Sequence, residues 1–467
     1  MEATLMQQPK AGLLPLYLKL YDDVDPALRA SFKPFLDTIA QGLQERGVSV
    51  SLGEICRVNE EFTKTVKRFE QEQVDLIVTL HLAYSPSLES AGILAASRLP
   101  LLLLDTTPDA SFGPGTSPDR IMFNHGIHGV QDLASVLRRM GRHFEIVAGH
   151  HANPEVLDRA AGIARAAQAA RYLRTTRALR IGPAFEGMGD FAPPDAVLER
   201  VLGIRTDQID VEALVAEAAF ITETDLQEEM EADRARYAVE ASEEVHRRSL
   251  RSGLALRKRL TDGAYTAFSL NFLEFRAADG LIDTVPFLEV SKAMARGYGY
   301  AGEGDVLTAS LVGALNKAFG KTTFTEIFCP DWEGDSLFLS HMGEVNPEVA
   351  GAVPRLIEKD FPYTPAQNPA ILACGLHPGP AVLVNLAPGP GDSFGLLVAP
   401  VQVLEDTTVP EMKDAVRGWI RPELPVELFL EEYSINGGTH HSALVMGECA
   451  GDIVAFGSMT GLDVTTL

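Results

Sequence analysis

The chain has 467 residues, 46% of them hydrophobic and 22% charged, which is enough for about three folded domains. Its formal net charge of −24 opposes polyanions, so nucleic acid and anionic membrane surfaces are excluded as partners. The four cysteines, Cys56, Cys329, Cys374 and Cys449, are too far apart for a zinc or redox pair; with no apolar leader and no apolar run of the ~18 residues a span needs, they read as free, mostly buried thiols of a cytoplasmic protein.

In chain order, residues 12–20 are a short apolar strand, 27–46 a helix with Phe32, Phe35, Leu36, Ile39 and Leu43 on one face, and 48–52 a second strand. A helix at 59–72, a buried strand at 75–81, a helix at 88–98 and a further apolar strand at 100–105 continue the pattern. Continuous apolar strands separated by helices predict a parallel sheet covered on both faces, with ligands beyond the carboxyl ends of its strands. His81 and the run Asp105, Thr106, Thr107 lie at such ends, and His125 and His128 precede a helix at 130–141. No G-x-G-x-x-G follows the first strand, so no NAD is expected. A strand at 144–150 and a long helix at 154–175 close this part.

The middle part restarts the alternation. A strand at 179–182 leads into P-A-F-E-G-M-G-D-F, an acidic helix spans 225–245, a basic amphipathic helix 247–261, and an aromatic strand 264–272. Helices at 287–296 and 306–318 flank the glycine-rich stretch 297–310, and Asp305 has the position of an N-cap for the second of them. In the last part short strands dominate: 336–339, 370–374, 381–386, 393–400, 426–433 and 442–448. The predicted fold is α/β, with two Rossmann-like parallel-sheet domains (1–176 and 177–322) followed by a β-rich, antiparallel barrel-like domain (323–467).

Candidate chemistry gathers around Glu303, which sits between Gly302 and Gly304. Glu326 lies between Phe324 and Phe328, and a carboxylate among aromatics needs a partner, either a cation or a base such as Lys321 or Arg276. His341 follows the strand at 336–340, and His440 and His441 end the run G-G-T-H-H. Taken singly, none is persuasive, and a lone histidine at a strand end is more often a structural residue. As a set, carboxylates and imidazoles from glycine-bordered positions suit a six-coordinate Mn²⁺, Mg²⁺ or Co²⁺ with water positions left open. Zinc would favour a closed tetrahedral set.

Three of these segments, G-Y-G-Y-A-G-E-G-D at 297–305, S-H-M-G-E-V-N-P at 340–347 and G-G-T-H-H at 437–441, resemble signatures of the L-arabinose isomerase family, within the L-fucose/L-arabinose isomerase group. Tyr300 replaces the family's usual Phe, Phe324–Thr325–Glu326 fits its F-M-E segment, and looser echoes run through 80–86, 124–129, 147–150 and 264–272. The resemblance implies that Glu303, Glu326, His341 and His441 bind a Mn²⁺-type ion, with His441 matching the ligand of the histidine pair. It implies that Glu303 and Glu326 are also the acid/base pair of an aldose–ketose isomerase acting through a cis-enediol on a free pentose or hexose. His128, His440, Phe272 and Met188 fall at its substrate-pocket positions. It further implies a homotrimer or homohexamer whose active sites are completed by neighbouring subunits.

The chain departs from the family pattern where the first strand reads G-L-L-P-L-Y-L, without the family's sugar-contacting glutamine, and at Phe272–Leu273–Glu274–Phe275. Both departures lie in substrate-choosing parts, not among the four ligands. A non-catalytic sugar-binding or regulatory protein on the same scaffold, or metal-assisted hydrolysis or lyase chemistry at the same residues, are the other readings the motifs admit.

Overall fold

The computed structural model describes residues 8–191, 193–276, 280–407 and 410–467. They form two compact units, one ending at Arg171 and the other running from Tyr172 to Leu467.

The first unit contains β1 (Lys10–Leu16), β2 (Ser49–Leu52), β3 (Leu76–His81), β4 (Leu101–Asp105) and β5 (Glu145–Ala148), paired in parallel in the order β2-β1-β3-β4-β5. β3 is buried at every position and β4 at all but its last, as a sheet covered on both faces requires. The helix Asn59–Gln71 buries Phe62, Thr65, Val66 and Phe69, an i, i+3, i+4, i+7 stripe that packs into the core beside Leu14 and Ile77.

The second unit begins with β6 (Arg177–Ile181), β7 (Arg205–Ile209), β8 (Ala238–Val239), β9 (Ala267–Leu270) and β10 (Gly299–Gly302). Four of these make a second parallel sheet, in the order β10-β9-β6-β7. After it come β11 (Thr322–Asp331), β12 (Ser336–Ser340), β13 (Arg355–Glu358) and β14 (Ala370–Ala373). The last strands are β15 (Gly379–Pro388), β16 (Phe394–Val403), β17 (Gly418–Pro422), β18 (His441–Met446) and β19 (Asp463–Thr466). The antiparallel run β15-β18-β11-β12-β17-β16 closes on itself because β15 also pairs with β16. Closure gives each of the six strands a neighbour on both sides, and β19 adds in parallel to β16. β14, β13 and β8 form a small separate sheet. The two parallel sheets and the β-rich third part match the fold class read from the sequence. No helix among the described residues is long and apolar enough to cross a membrane.

Several local expectations are corrected. Residues 426–433 are not a strand but part of the helix Val426–Ile435. Its buried side chains, Val426, Phe429 and Tyr433, stand at helical spacing, which the alternating look of V-E-L-F-L-E-E-Y conceals. The acidic helix is Glu223–Arg236; β8 intervenes before Ser242 caps the next helix, Glu243–Asp262. Within the glycine-rich stretch, Gly299–Gly302 form the buried strand β10. His128 lies in the first turn of the helix Ile127–Arg139 rather than ahead of it. Of the four free thiols, only Cys56 and Cys374 are buried, while Cys329 is exposed.

A charge network joins three helices of the second unit. Arg257 bridges Glu229 and Glu289, Lys292 contacts Glu229 and Asp233, and Asp233 accepts from His246 at 2.9 Å. Burial would push the Glu229 carboxyl up, but Arg257 and Lys292 outweigh it and hold it down at about 2 instead of 4.5. A carboxylate with a lowered folded pKa stabilises fully above its unfolded value and loses that contribution as pH falls to the folded one. From this group the protein is expected to lose on the order of 2–3 kcal/mol between about pH 4.5 and 2. Urea unfolding across that range should show a shallower acid loss in Glu229→Gln than in the parent.

Candidate metal and proton-transfer site

The site is built where β10 of the parallel sheet meets β11, β12 and β18 of the barrel, all within the second unit. Glu303 follows β10 directly and has φ 63°, a left-handed conformation rare for a residue with a side chain. Its backbone N–H donates to Leu270 at 3.0 Å, and its carbonyl accepts from Phe185 at 3.0 Å. Such a conformation costs about 1–3 kcal/mol and persists only when its surroundings enforce it. Gly304 has φ 88°, and a Cβ there would lie 2.5 Å from Cα of Ala184, so no other residue fits. A Cβ on Gly302 would stand 3.3 Å from the His341 ring, so that glycine keeps room for the imidazole.

Glu326 is set by strand register. In β11 it pairs with Ser340 of β12 on one side and with His441 of β18 on the other. His341 follows Ser340, so two imidazoles flank one carboxylate. Nε2 of His341 lies 3.1 Å and Nε2 of His441 3.0 Å from Glu326 Oε1. Nε2 of His441 is also 3.5 Å from Glu303 Oε2, and that of His440 3.8 Å. Glu326 thus faces imidazoles, not Lys321 or Arg276. Glu303, Glu326, His440 and His441 each offer a ligand atom within 4.8 Å of the others.

The turn before β18 is locked by side chains. Asn385 donates to Thr439 Oγ1 and to the His441 carbonyl, both at 2.6 Å, and Tyr433 donates to the Thr439 carbonyl at 2.7 Å. Phe324 meets both His341 and His441 edge-on, with centroids 4.8 and 4.9 Å away, and Phe191 stacks on His441 at 4.8 Å and 7°.

Each imidazole is held from behind by an acid. Nδ1 of His441 is 2.9 Å from Asp305 Oδ2, Nδ1 of His341 is 2.7 Å from Glu344 Oε2, and Nδ1 of His440 is 2.6 Å from Asp190 Oδ2. Tyr300 donates to the other oxygen of Glu344 at 2.9 Å. This is the arrangement in which a carboxylate fixes the tautomer of a ligand histidine and points its Nε2 at a metal. In sequence Asp305 reads as a helix cap only. It does cap the helix Val306–Phe319, accepting from Thr308 at 2.9 Å, but its second oxygen carries His441. Glu344 carries a signal in its place three residues after His341, on which a paired acid for that ring can be looked for. Asp190 and Phe191 left none, being far from the histidines in sequence.

The electrostatics follow from these contacts. Burial alone would raise both glutamates. The surrounding histidines reverse this, holding Glu303 at about 2 and Glu326 lower still. Burial would lower the histidines, yet Glu344 and Glu326 raise His341 to about 10, and Asp305 with both glutamates raises His441 well above its usual range. Without a cation, the acids around His341 and His441 favour their protonated forms. A divalent cation can replace those protons.

The residues fit such an ion. The donors are carboxylate oxygens and imidazole nitrogens, with no thiol among them, the mixed set suited to Mn²⁺, Mg²⁺ or Co²⁺. Nε2 of His441 is fully buried and makes no hydrogen bond, although it points at the two carboxylates. An orphaned buried nitrogen among acids is satisfied by a metal or a proton.

The other sequence candidates are placed as follows. Phe272 opens a short 3₁₀ turn after β9 and meets Phe185 edge-on at 5.0 Å, beside the Glu303 carbonyl contact. Met188 is half-buried in the segment that carries Asp190. His128 belongs to the first unit, where its ring lies 5.9 Å from that of His125.

Two family models match this chain: the L-arabinose isomerase central domain over residues 195–321 and the L-arabinose isomerase C-terminal domain over 321–463. L-arabinose isomerase of Acidothermus cellulolyticus is 30% identical over 84% of this chain and 80% of its own length. That of Nocardioides sp. is 31% identical with the same coverage, and L-arabinose isomerase 1 of Bacillus licheniformis 26% identical over 91% and 86%. The family models and relatives together define a sugar isomerase, an enzyme that interconverts an aldose and a ketose. The chain belongs to the L-arabinose isomerase family, as a divergent member.

Proposed function

We propose that this protein is a metal-dependent isomerase of a free pentose or hexose, of L-arabinose or D-galactose type, working through a cis-enediol. The observation that carries the reading is the convergence of Glu303 and Glu326 on the orphaned Nε2 of His441. Glu303, Glu326, His341 and His441 would hold the ion, Mn²⁺ first and Mg²⁺ or Co²⁺ as substitutes. When bound, the ion supplies Lewis acidity to the two sugar oxygens and stabilises charge developing on them.

The chain's own residues would do the rest. One glutamate removes the proton from C2 as O1 gains one, and the C2–H electron pair becomes the C1–C2 double bond of the enediol. Loss of the O2 proton and return of a proton to C1 then complete the ketose. The other glutamate carries the hydroxyl proton. A carboxylate held near 2 is a weak base, so turnover requires neutral imidazoles, the state in which histidine ligates. Phe324 and Phe191 pack against the histidines and limit water. His440, Phe272 and Met188 would line the sugar pocket.

Three domains, 1–176, 177–322 and 323–467, acting in the cytoplasm, complete the proposal. A homotrimer or homohexamer would bring His128 of a neighbouring subunit to the sugar. A panel of pentoses, hexoses and 6-deoxy sugars with Mn²⁺ in D₂O tests it. The expected result is ketose formation from at least one sugar, with C2–H exchange or transfer to C1. Sugar binding without product across the panel would point to the non-catalytic reading.

A further inference from the structure

Of the three acid–imidazole pairs, two are sealed and one is not. Asp305 with His441 and Glu344 with His341 are buried. Asp190 and His440 are 37% and 39% exposed. Asp190 comes from the segment between β6 and the helix Asp195–Val197, and it reaches His440 across 250 positions of sequence.

One oxygen, Asp190 Oδ2, accepts twice: from Nδ1–H of His440 at 2.6 Å and from its backbone N–H at 3.1 Å. Two donors on one acceptor set the ring's position as well as its tautomer. Nε2 is left facing Glu303 at 3.8 Å. The same segment touches the site twice more. Phe191 stacks on His441, and Phe185 donates to the Glu303 carbonyl. Asp190 is therefore anchored beside His441 and Glu303 while remaining partly open to solvent.

We propose that Asp190 is a positioning residue that aims Nε2 of His440 at a sugar hydroxyl next to Glu303, and not at the metal. The proposal rests on the isomerase reading for its substrate class. His440 lies close enough to the glutamates to be a ligand, so the two roles must be separated by experiment. The sealed pairs organise the ion, and the open pair organises the substrate.

The test compares Asp190→Asn with Asp305→Asn. Calorimetry with Mn²⁺ alone measures the ion. A pentitol, which cannot isomerise, measures the sugar site of the Mn²⁺-loaded protein, alongside KM and kcat. Asp190→Asn is expected to raise the pentitol Kd and KM about tenfold and leave the Mn²⁺ Kd within about twofold, whereas Asp305→Asn weakens Mn²⁺ about 10–100-fold. Asp190→Glu should recover part of the pentitol affinity. A double variant, Asp190→Asn with His440→Gln, should lose no more than His440→Gln alone, because the acid acts only through the ring.

Weakened Mn²⁺ binding in Asp190→Asn, additive losses in the double variant, or unchanged pentitol affinity and KM would each overturn the proposal. If the parent binds pentitol but never forms ketose, the isomerase reading fails while the pentitol and Mn²⁺ comparison still decides the role of Asp190.

Discussion

Glu326→Gln is expected to lower aldose–ketose turnover by about 10²–10⁴-fold, the range that general acid–base groups contribute. The amide fills the same place in β11 but cannot take a proton. The two imidazoles 3.1 and 3.0 Å from Oε1 would then lose a charged partner and face a neutral one. Glu303→Gln should have a similar effect, since its backbone contacts to Leu270 and Phe185 do not involve the carboxylate. Thermal unfolding of both variants should stay cooperative. Full activity in either one removes it from the proton-transfer role.

Stripping divalent ions should abolish activity, and adding Mn²⁺ should restore it. An ion that binds only the folded chain stabilises it by about 2.7 kcal/mol at a hundredfold excess over Kd, an expected rise in Tm of roughly 3 °C for a chain of this size. The pH dependence has a definite sign. His341 keeps its proton until about pH 10 in the ion-free site, because Glu344 and Glu326 outweigh its burial. An ion must displace that proton, so apparent affinity should rise with pH through neutrality towards that value. In weakly buffered solution at neutral pH, Mn²⁺ should release protons. Unchanged activity after chelation, or binding without proton release, would contradict the assigned ligand set.

Much of the site was legible because its residues lie in short, glycine-bordered motifs. Glu303, His341 and His441 each stand next to a turn or a strand end, and Glu326 stands out as an acid between two phenylalanines. Their supporting residues were less visible. Asp305 serves two partners with its two oxygens, and only the capping contact is local. Tyr300 reads as a simple aromatic replacement, yet its hydroxyl donates to Glu344 behind His341. The helix Val426–Ile435 has a strand-like sequence, which hides how Tyr433 steadies the turn before His441.

The sequence by itself determined the α/β pattern, the change to short strands in the last third, and a candidate set of carboxylates and imidazoles at glycine-bordered positions. Those follow from local periodicity, turn chemistry and motif spacing, which are short-range properties. Only the tertiary structure decided which groups meet. The β11 register puts Glu326 between His341 and His441, barrel closure orders the strands that carry them, and a left-handed residue turns Glu303 towards them. Asp190 reaches His440 only once the fold has brought the end of β6 beside the start of β18. Such contacts depend on strand register and on packing between distant segments, and a linear pattern carries neither.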